Sequence, residues 1–137
     1  MLDKKIVAVL DQNLSVGLAF NTLAHLAVSL GKHGKKHMGK GSVLDASGIS
    51  HIGFSKYPFI ILKADAIKIK EIVDSAKNDR HLFLIDFPEQ AYLEYTDEEF
   101  VKAISEVQDK DIKYYGVLLF GLNNDIDKYT AKLPLWK

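Results

Sequence analysis

Asp86 closes the apolar run Leu82-Phe83-Leu84-Ile85, and Glu89 and Glu94 follow within the next connection. A carboxylate just past a buried strand can take a proton from a reacting group or hold a ligand amine. Ligands of α/β sheets also gather outside the carboxyl ends of strands. Asp86 is therefore the catalytic candidate, with capping of the turn at Phe87-Pro88 as the structural alternative. Asn21 and His25 stand four apart, a spacing that puts two side chains on one helix face. Asn21 then orients a substrate or the imidazole beside a cleft; otherwise His25 is a half-buried histidine satisfied by a neighbouring carbonyl or hydroxyl.

His33 and His37 are also four apart, but Gly34 between them argues against a helix, and Lys35 and Lys36 would repel a cation. The ligand set is incomplete, so no metal site and no cofactor are expected. Lys32, Lys35, Lys36 and Lys40 lie in a stretch from Gly31 to Leu44 that holds no acid. Glycine amides and lysine charge could hold a phosphate there; the alternative is a solvated basic loop. P-loop spacing is absent from this stretch. His51 lies further along the same connection and could reach a cleft by loop closure. Tyr92, Tyr95, Tyr114 and Tyr115 could stack on bases, although tyrosines at strand edges and helix entries commonly serve packing.

These side chains need elements to hold them. Unbroken apolar runs at Ile6 to Leu10, Phe59 to Leu62, Leu82 to Ile85 and Val117 to Phe120 predict strands covered on both faces. Ala19, Thr22, Leu23, Leu26, Ala27 and Leu30 give a helix from Ser15 to Leu30 its core face, and Gly31 is placed to close it. Asp65 can cap a second helix running to Lys77, with Ile69, Ile72, Val73 and Ala76 inward. Thr96 and Glu99 have capping-box spacing ahead of the stripe Phe100, Ala103, Ile104 and Val107. Asn123 or Asn124 can cap a short last helix, and Trp136 is placed to anchor the tail. From Gly31 to Lys56 the pattern breaks into a long connection with six of the nine glycines, carrying at most one short strand or turn.

Strands separated by helices mean a layered α/β domain, and 137 residues suit one domain, residues 1–137. Lysine and arginine number 18, as do the acids, so the net charge is +0. Overall charge thus selects neither a nucleic acid nor an acidic surface as partner, and any such role requires local asymmetry. Without cysteine there is no disulfide, thiol nucleophile or thiolate metal site. The first residues lack a signal-peptide core, and no apolar run approaches the ~20 residues of a membrane helix. A cytoplasmic protein without membrane partners is expected.

Ile6 to Gly17 running into Asn21-Thr22-Leu23-Ala24-His25-Leu26-Ala27 resembles the domain-of-unknown-function family numbered two thousand. Asp45-Ala46-Ser47-Gly48, Ser50 to Pro58, Tyr115 to Gly121 and Leu133 to Lys137 resemble the same family, so the likeness spans nearly the whole chain. The resemblance implies a peptidyl-tRNA hydrolase II-like fold: a single three-layer α/β domain, its mixed four-stranded sheet carrying helices on both faces. Hydrolases of that fold open the first helix with a lysine-glycine motif and carry a Gln-Cys-Ser/Ala-His run within it. Aligned without a gap, their lysines fall on Ser15, Leu18 and Phe20, and their histidine on Ala27. Asp86 matches the aspartate after their third strand, but Phe87-Pro88-Glu89-Gln90 replaces the Gly-Arg-Thr-Gln that should follow. A helical segment from Thr96 to Asp109 is inserted before the last strand.

The resulting expectation is a relative of that fold without the standard hydrolase motif. It binds a small anionic or nucleotide-like ligand through Ser15, Asn21, His25 and His51, near Asp86. The alternatives are a divergent aminoacyl- or peptidyl-ester hydrolase with Asp86 as base and His51 or His25 assisting, and a homodimeric interaction module pairing through the apolar remainder of the first helix.

Overall fold

The computed structural model describes residues 2–137. In chain order the elements are β1 (Lys4–Asp11), α1 (Val16–His33), β2 (Ser42–Leu44), β3 (Ser50–Ile52), β4 (Phe59–Ala64) and α2 (Ala66–Ala76). They continue with β5 (Leu82–Pro88), α3 (Glu89–Leu93), α4 (Asp97–Ser105), a 3-10 turn at Asp109–Asp111, β6 (Tyr114–Leu122) and α5 (Asn123–Thr130). Four strands make a mixed sheet in the order β4-β1-β6-β5. β1 pairs parallel with β4, while β6 runs antiparallel to both β1 and β5, so β4, β1 and β5 point one way.

Successive strand residues face opposite sides of a sheet, and here both sides are covered. Ile6 and Leu10 pack with Ala19, Leu26 and Leu30 of α1. Val7 and Val9 pack with Ile69, Ile72 and Val73 of α2 and Ile126 of α5. Coverage on both faces explains why these strands read as continuous apolar runs, and each fully buried aliphatic side chain adds roughly 1.5–3 kcal/mol of driving force.

A bulge seats α1. Phe87 pairs with Gly116 but Pro88 with Tyr114, leaving Tyr115 unopposed, so that Tyr115 joins the α1-side core. Gly116 sits directly beneath the helix: a Cβ there would lie 2.9 Å from Thr22 Cγ2. Only glycine lets the helix come this close.

Several boundaries differ from expectation for identifiable reasons. α1 does not stop at Gly31 but runs on to His33, where the basic Lys32 and His33 suit the carboxyl end of the helix dipole. Gly34 is the cap, its N–H donating to the Leu30 carbonyl at 2.8 Å. The connection after it holds two strands rather than one, β2 and β3, paired antiparallel as a ribbon whose residues are exposed. At the root of this ribbon the two chains touch: a Cβ at Gly53 would sit 1.6 Å from the Lys40 carbonyl oxygen. β5 continues through Pro88 rather than ending at Ile85, so Asp86 lies within the strand. Proline is tolerated there because this is an edge strand. The one-turn helix α3 was not expected, and α5 is preceded by Leu122 as cap instead of an asparagine. Asn123 instead donates its side-chain N–H to the Leu2 carbonyl at 3.1 Å.

The Asp65 cap and the Thr96/Glu99 capping box both form. The two sheet edges end differently. Along β4 the last residues of the chain lie down as a partner: Lys63 N–H donates to the Pro134 carbonyl at 3.0 Å, and Trp136 N–H to that of Ile61 at 2.9 Å. Among the described residues β5 has β6 as its one strand neighbour, which leaves its outer edge without a strand partner.

Candidate functional site

A groove of about 820 Å³ follows the carboxyl half of that open edge, within the usual range for small-molecule sites. Asn21, His25, Ser29 and His33 of α1 form one wall, Ile85 and Phe87 of β5 the floor, and Tyr92, Tyr95, Asp97 and Phe100 the far wall. The four α1 residues are spaced i, i+4, i+8 and i+12, which places them along one side of the helix. The His25 ring lies 5.4 Å from that of Phe87. Across from it, the capping box fixes the entry to α4: the Thr96 hydroxyl accepts from Glu99 N–H, and the Glu99 carboxylate accepts from the amides of Tyr95 and Thr96, each at 3.1 Å. This local lock holds Asp97 at the rim beside a fully solvated Tyr95 ring, 99% exposed. The lining thus holds two imidazoles, His25 and His33, and two carboxylates, Glu94 and Asp97, among aromatic and aliphatic side chains.

Asp86 contributes to the groove from the strand that floors it, but its carboxylate belongs to the other side of the sheet. Phe83, Ile85 and Phe87 join the α1-side core, whereas Leu82 and Leu84 join the α2 side. Alternation sends Asp86 with the latter pair. Its electrostatic neighbours agree, being Lys70 and Lys77 of α2, Asp109 and Tyr114. Burial pushes the Asp86 pKa up, Asp109 pushes it further, and Lys70 and Lys77 oppose both. Since Asp86 retains broad contact with solvent, the desolvation is partial and its effect is screened.

Lys70 is already engaged, donating to the Asp109 carbonyl at 2.6 Å and to Asp74 at 3.0 Å, with its ammonium 5.5 Å from the Tyr114 ring centroid. Lys77 donates to Asp109 at 3.1 Å, which holds the Asp109 pKa down. Burial raises the Tyr114 pKa, with the Asp86 charge adding to it. Tyr114 therefore stays a neutral phenol.

The other sequence candidates lie apart. Ser15 is the amino cap of α1, its hydroxyl accepting from Leu18 N–H at 3.3 Å. His51 sits on the exposed ribbon, where its Nε2 is 3.0 Å from Asp45. Asp45 also accepts from the amides of Ser47 and Ile49, and these bonds, that to His51 first, lower its pKa. Thus Asn21, His25 and Asp86 all line the groove, Asp86 from a strand position whose side chain alternation sends to the α2 side, and Ser15 and His51 are elsewhere. His37 is buried beside Phe120. Among the described residues no cluster of three or more histidines and acids is placed to hold a metal ion, and no helix is long and apolar enough to cross a membrane.

The family model described as "Protein of unknown function (DUF2000)" matches residues 4–137. The chain belongs to this family. A solved structure of a protein of unknown function from Agrobacterium tumefaciens is similar to this DUF2000 chain over 100% of both chains, with a TM-score of 0.87 at 20% identity. At that identity the likeness concerns the fold alone. No curated protein matches.

Within this DUF2000 chain, sequence reading missed Ser29, His33, Asp97 and Phe100 as groove residues. The first two were signalled by continuing the Asn21/His25 spacing for two more turns. Asp97 and Phe100 carried no such signal, because their approach to α1 depends on α3 turning the chain across the edge of β5.

Proposed function

We propose that residues 1–137 form one peptidyl-tRNA hydrolase II-like domain that binds a small molecule in the groove between α1 and the α3–α4 segment, without the hydrolytic machinery of that fold. The mixed four-stranded sheet between helices is what the resemblance to that fold implies. What supports the binding reading is strand alternation in β5, which sends the Asp86 carboxylate toward Lys70 and Lys77 on the α2 side although the residue itself lines the groove. A general base must come within hydrogen-bond reach of the proton it takes. The Asp86 carboxylate faces α2, while the two polar side chains beside the aromatic groove face the other way. His51, tied to Asp45 on the ribbon, offers no substitute.

The charges of the groove favour a ligand other than the anionic one expected from sequence. Glu94 and Asp97 at the rim attract an ammonium group and repel a phosphate. Tyr92 and Tyr95 offer faces for a flat ring. The ligand class is therefore a neutral or amine-bearing planar molecule, its polar edge hydrogen-bonded by Asn21 and His25. Titration of the full chain with tyramine and with adenosine, followed by amide shifts, tests this. Shifts at Ile85, Phe87 and Ala91 that vanish in the Asn21→Ala/His25→Ala variant support it. Binding indifferent to that variant, or release of peptide from peptidyl-tRNA that is lost in Asp86→Asn, overturns it.

A further inference from the structure

A second cleft lies at the end of the sheet where β1 and β5 begin and β6 ends. This cleft, about 630 Å³, lies beyond His33, and its lining has the opposite character. Lys4, His33, Lys35, Arg80 and His81 surround it, and no acid lines it. Arg80 is the chain's only arginine. The floor is apolar, formed by Leu82 and Phe83 of β5 with Phe120 and Leu122 of β6.

The cations here are uncompensated. Among the described residues, five lysines, at positions 5, 68, 70, 77 and 128, pair with a carboxylate; the other twelve do not, and what marks the cleft is that its cations share one lining without an acid. Among the described residues, Lys4, Lys35 and Arg80 form no ion pair. Asp79, beside Arg80 in sequence, is turned to other partners, accepting from Tyr129 O–H at 2.8 Å and His81 N–H at 3.0 Å. Lys4 instead rests its ammonium 5.9 Å from the Phe120 ring centroid. In a chain of zero net charge, three unpaired cations and two imidazoles around one apolar floor concentrate positive potential. Arg80 adds a planar fork matched to phosphate oxygens.

We propose that this cleft binds a phosphorylated ligand with an apolar or aromatic body, the phosphate held by Arg80, Lys35 and Lys4 and the body lying on Phe83 and Phe120. It stands independently of the groove, since of the residues that line it only His33 also lines the groove. A phosphomonoester fits better than a carboxylate, because a dianion engages several cations at once, whereas a carboxylate leaves most of them unneutralised.

The test is a titration of the full chain with phenyl phosphate at low salt, read by amide shifts at Leu82, Phe83 and Gly121, with benzoate and inorganic phosphate in parallel. Phenyl phosphate should bind tightest of the three and weaken as salt rises. The exposed-residue variant Lys35→Ala/Arg80→Ala should lose roughly tenfold or more in affinity while keeping its amide spectrum elsewhere. Lys128→Ala, which removes a paired surface lysine, should change nothing. The proposal is overturned by no shift at these amides up to about 10 mM phenyl phosphate, by benzoate binding equally well, or by equal losses in the Lys128→Ala control.

Discussion

The two edges of the sheet meet the same physical problem and end differently. An edge strand presents unpaired donors and acceptors that invite unwanted pairing unless covered. β4 is covered by Leu133 to Trp136, through backbone bonds to Ile61 and Lys63 and the packing of Trp136 on the α1-side core. Among the described residues β5 has no such cover; a groove lined by α1, β5 and the α3–α4 segment runs beside it, and the basic cleft lies at the end of the sheet where β1 and β5 begin. One edge is closed for stability. The other is left without a strand partner, and the groove lies along it.

Breaking the closed edge should have the largest effect. Trp136→Ala removes a large, partly buried ring and should cost about 2–3 kcal/mol in urea denaturation, with new self-association as the β4 edge frees itself. The same kind of substitution at Tyr95, fully solvated beside the open edge, should leave stability within about 0.5 kcal/mol. If both variants lose stability alike, the contrast between the edges fails.

Neutralising the rim comes next. Glu94→Gln/Asp97→Asn should weaken tyramine binding roughly three- to tenfold at low salt, as expected for partly exposed charges, and leave adenosine binding unchanged. Equal losses for both probes would mean the rim acts through shape rather than charge.

Asp86 should give a smaller effect, visible in its pH dependence. Its pKa in the folded protein lies above the ordinary 3.8, so the folded state holds its proton more tightly than the unfolded chain. The favourable contribution is complete below pH 3.8 and is lost as pH rises through the folded value. Asp86→Asn should therefore gain on the wild type as pH climbs past 3.8, by less than about 1 kcal/mol given the solvent contact. Chemical denaturation at pH 3 to 7 measures it, and a gap that narrows with rising pH would reverse the sign. Smallest of all, Ile52→Thr on the ribbon should change stability by less than about 0.5 kcal/mol, since Ile52 is 91% exposed.

Much of the scaffold was legible because its signals are local. Each main-sheet strand grew around an apolar run, and Asp65 and Thr96 capped the helices their spacing suggested. The direction of Asp86 was not legible. Leu82 to Ile85 are all apolar because both faces of β5 are covered, so the run carries no alternation from which to read a face. Pro88 hid the last part of the strand, and with it the fact that Asp86 lies inside. Strand order depends on pairings distant in sequence, such as Lys5 with Gly121. Without that order nothing in the sequence says that β5 is the open edge, or that Lys4, Lys35 and Arg80 meet at one end of the sheet.

The most direct measurement sets His25→Ala against Asp86→Asn in parallel tyramine titrations of folded protein. A loss of roughly tenfold in His25→Ala, about 1.4 kcal/mol, with affinity retained in Asp86→Asn, is the predicted result. Loss in Asp86→Asn with His25→Ala unaffected would put the ligand on the α2 side of the sheet and contradict the account.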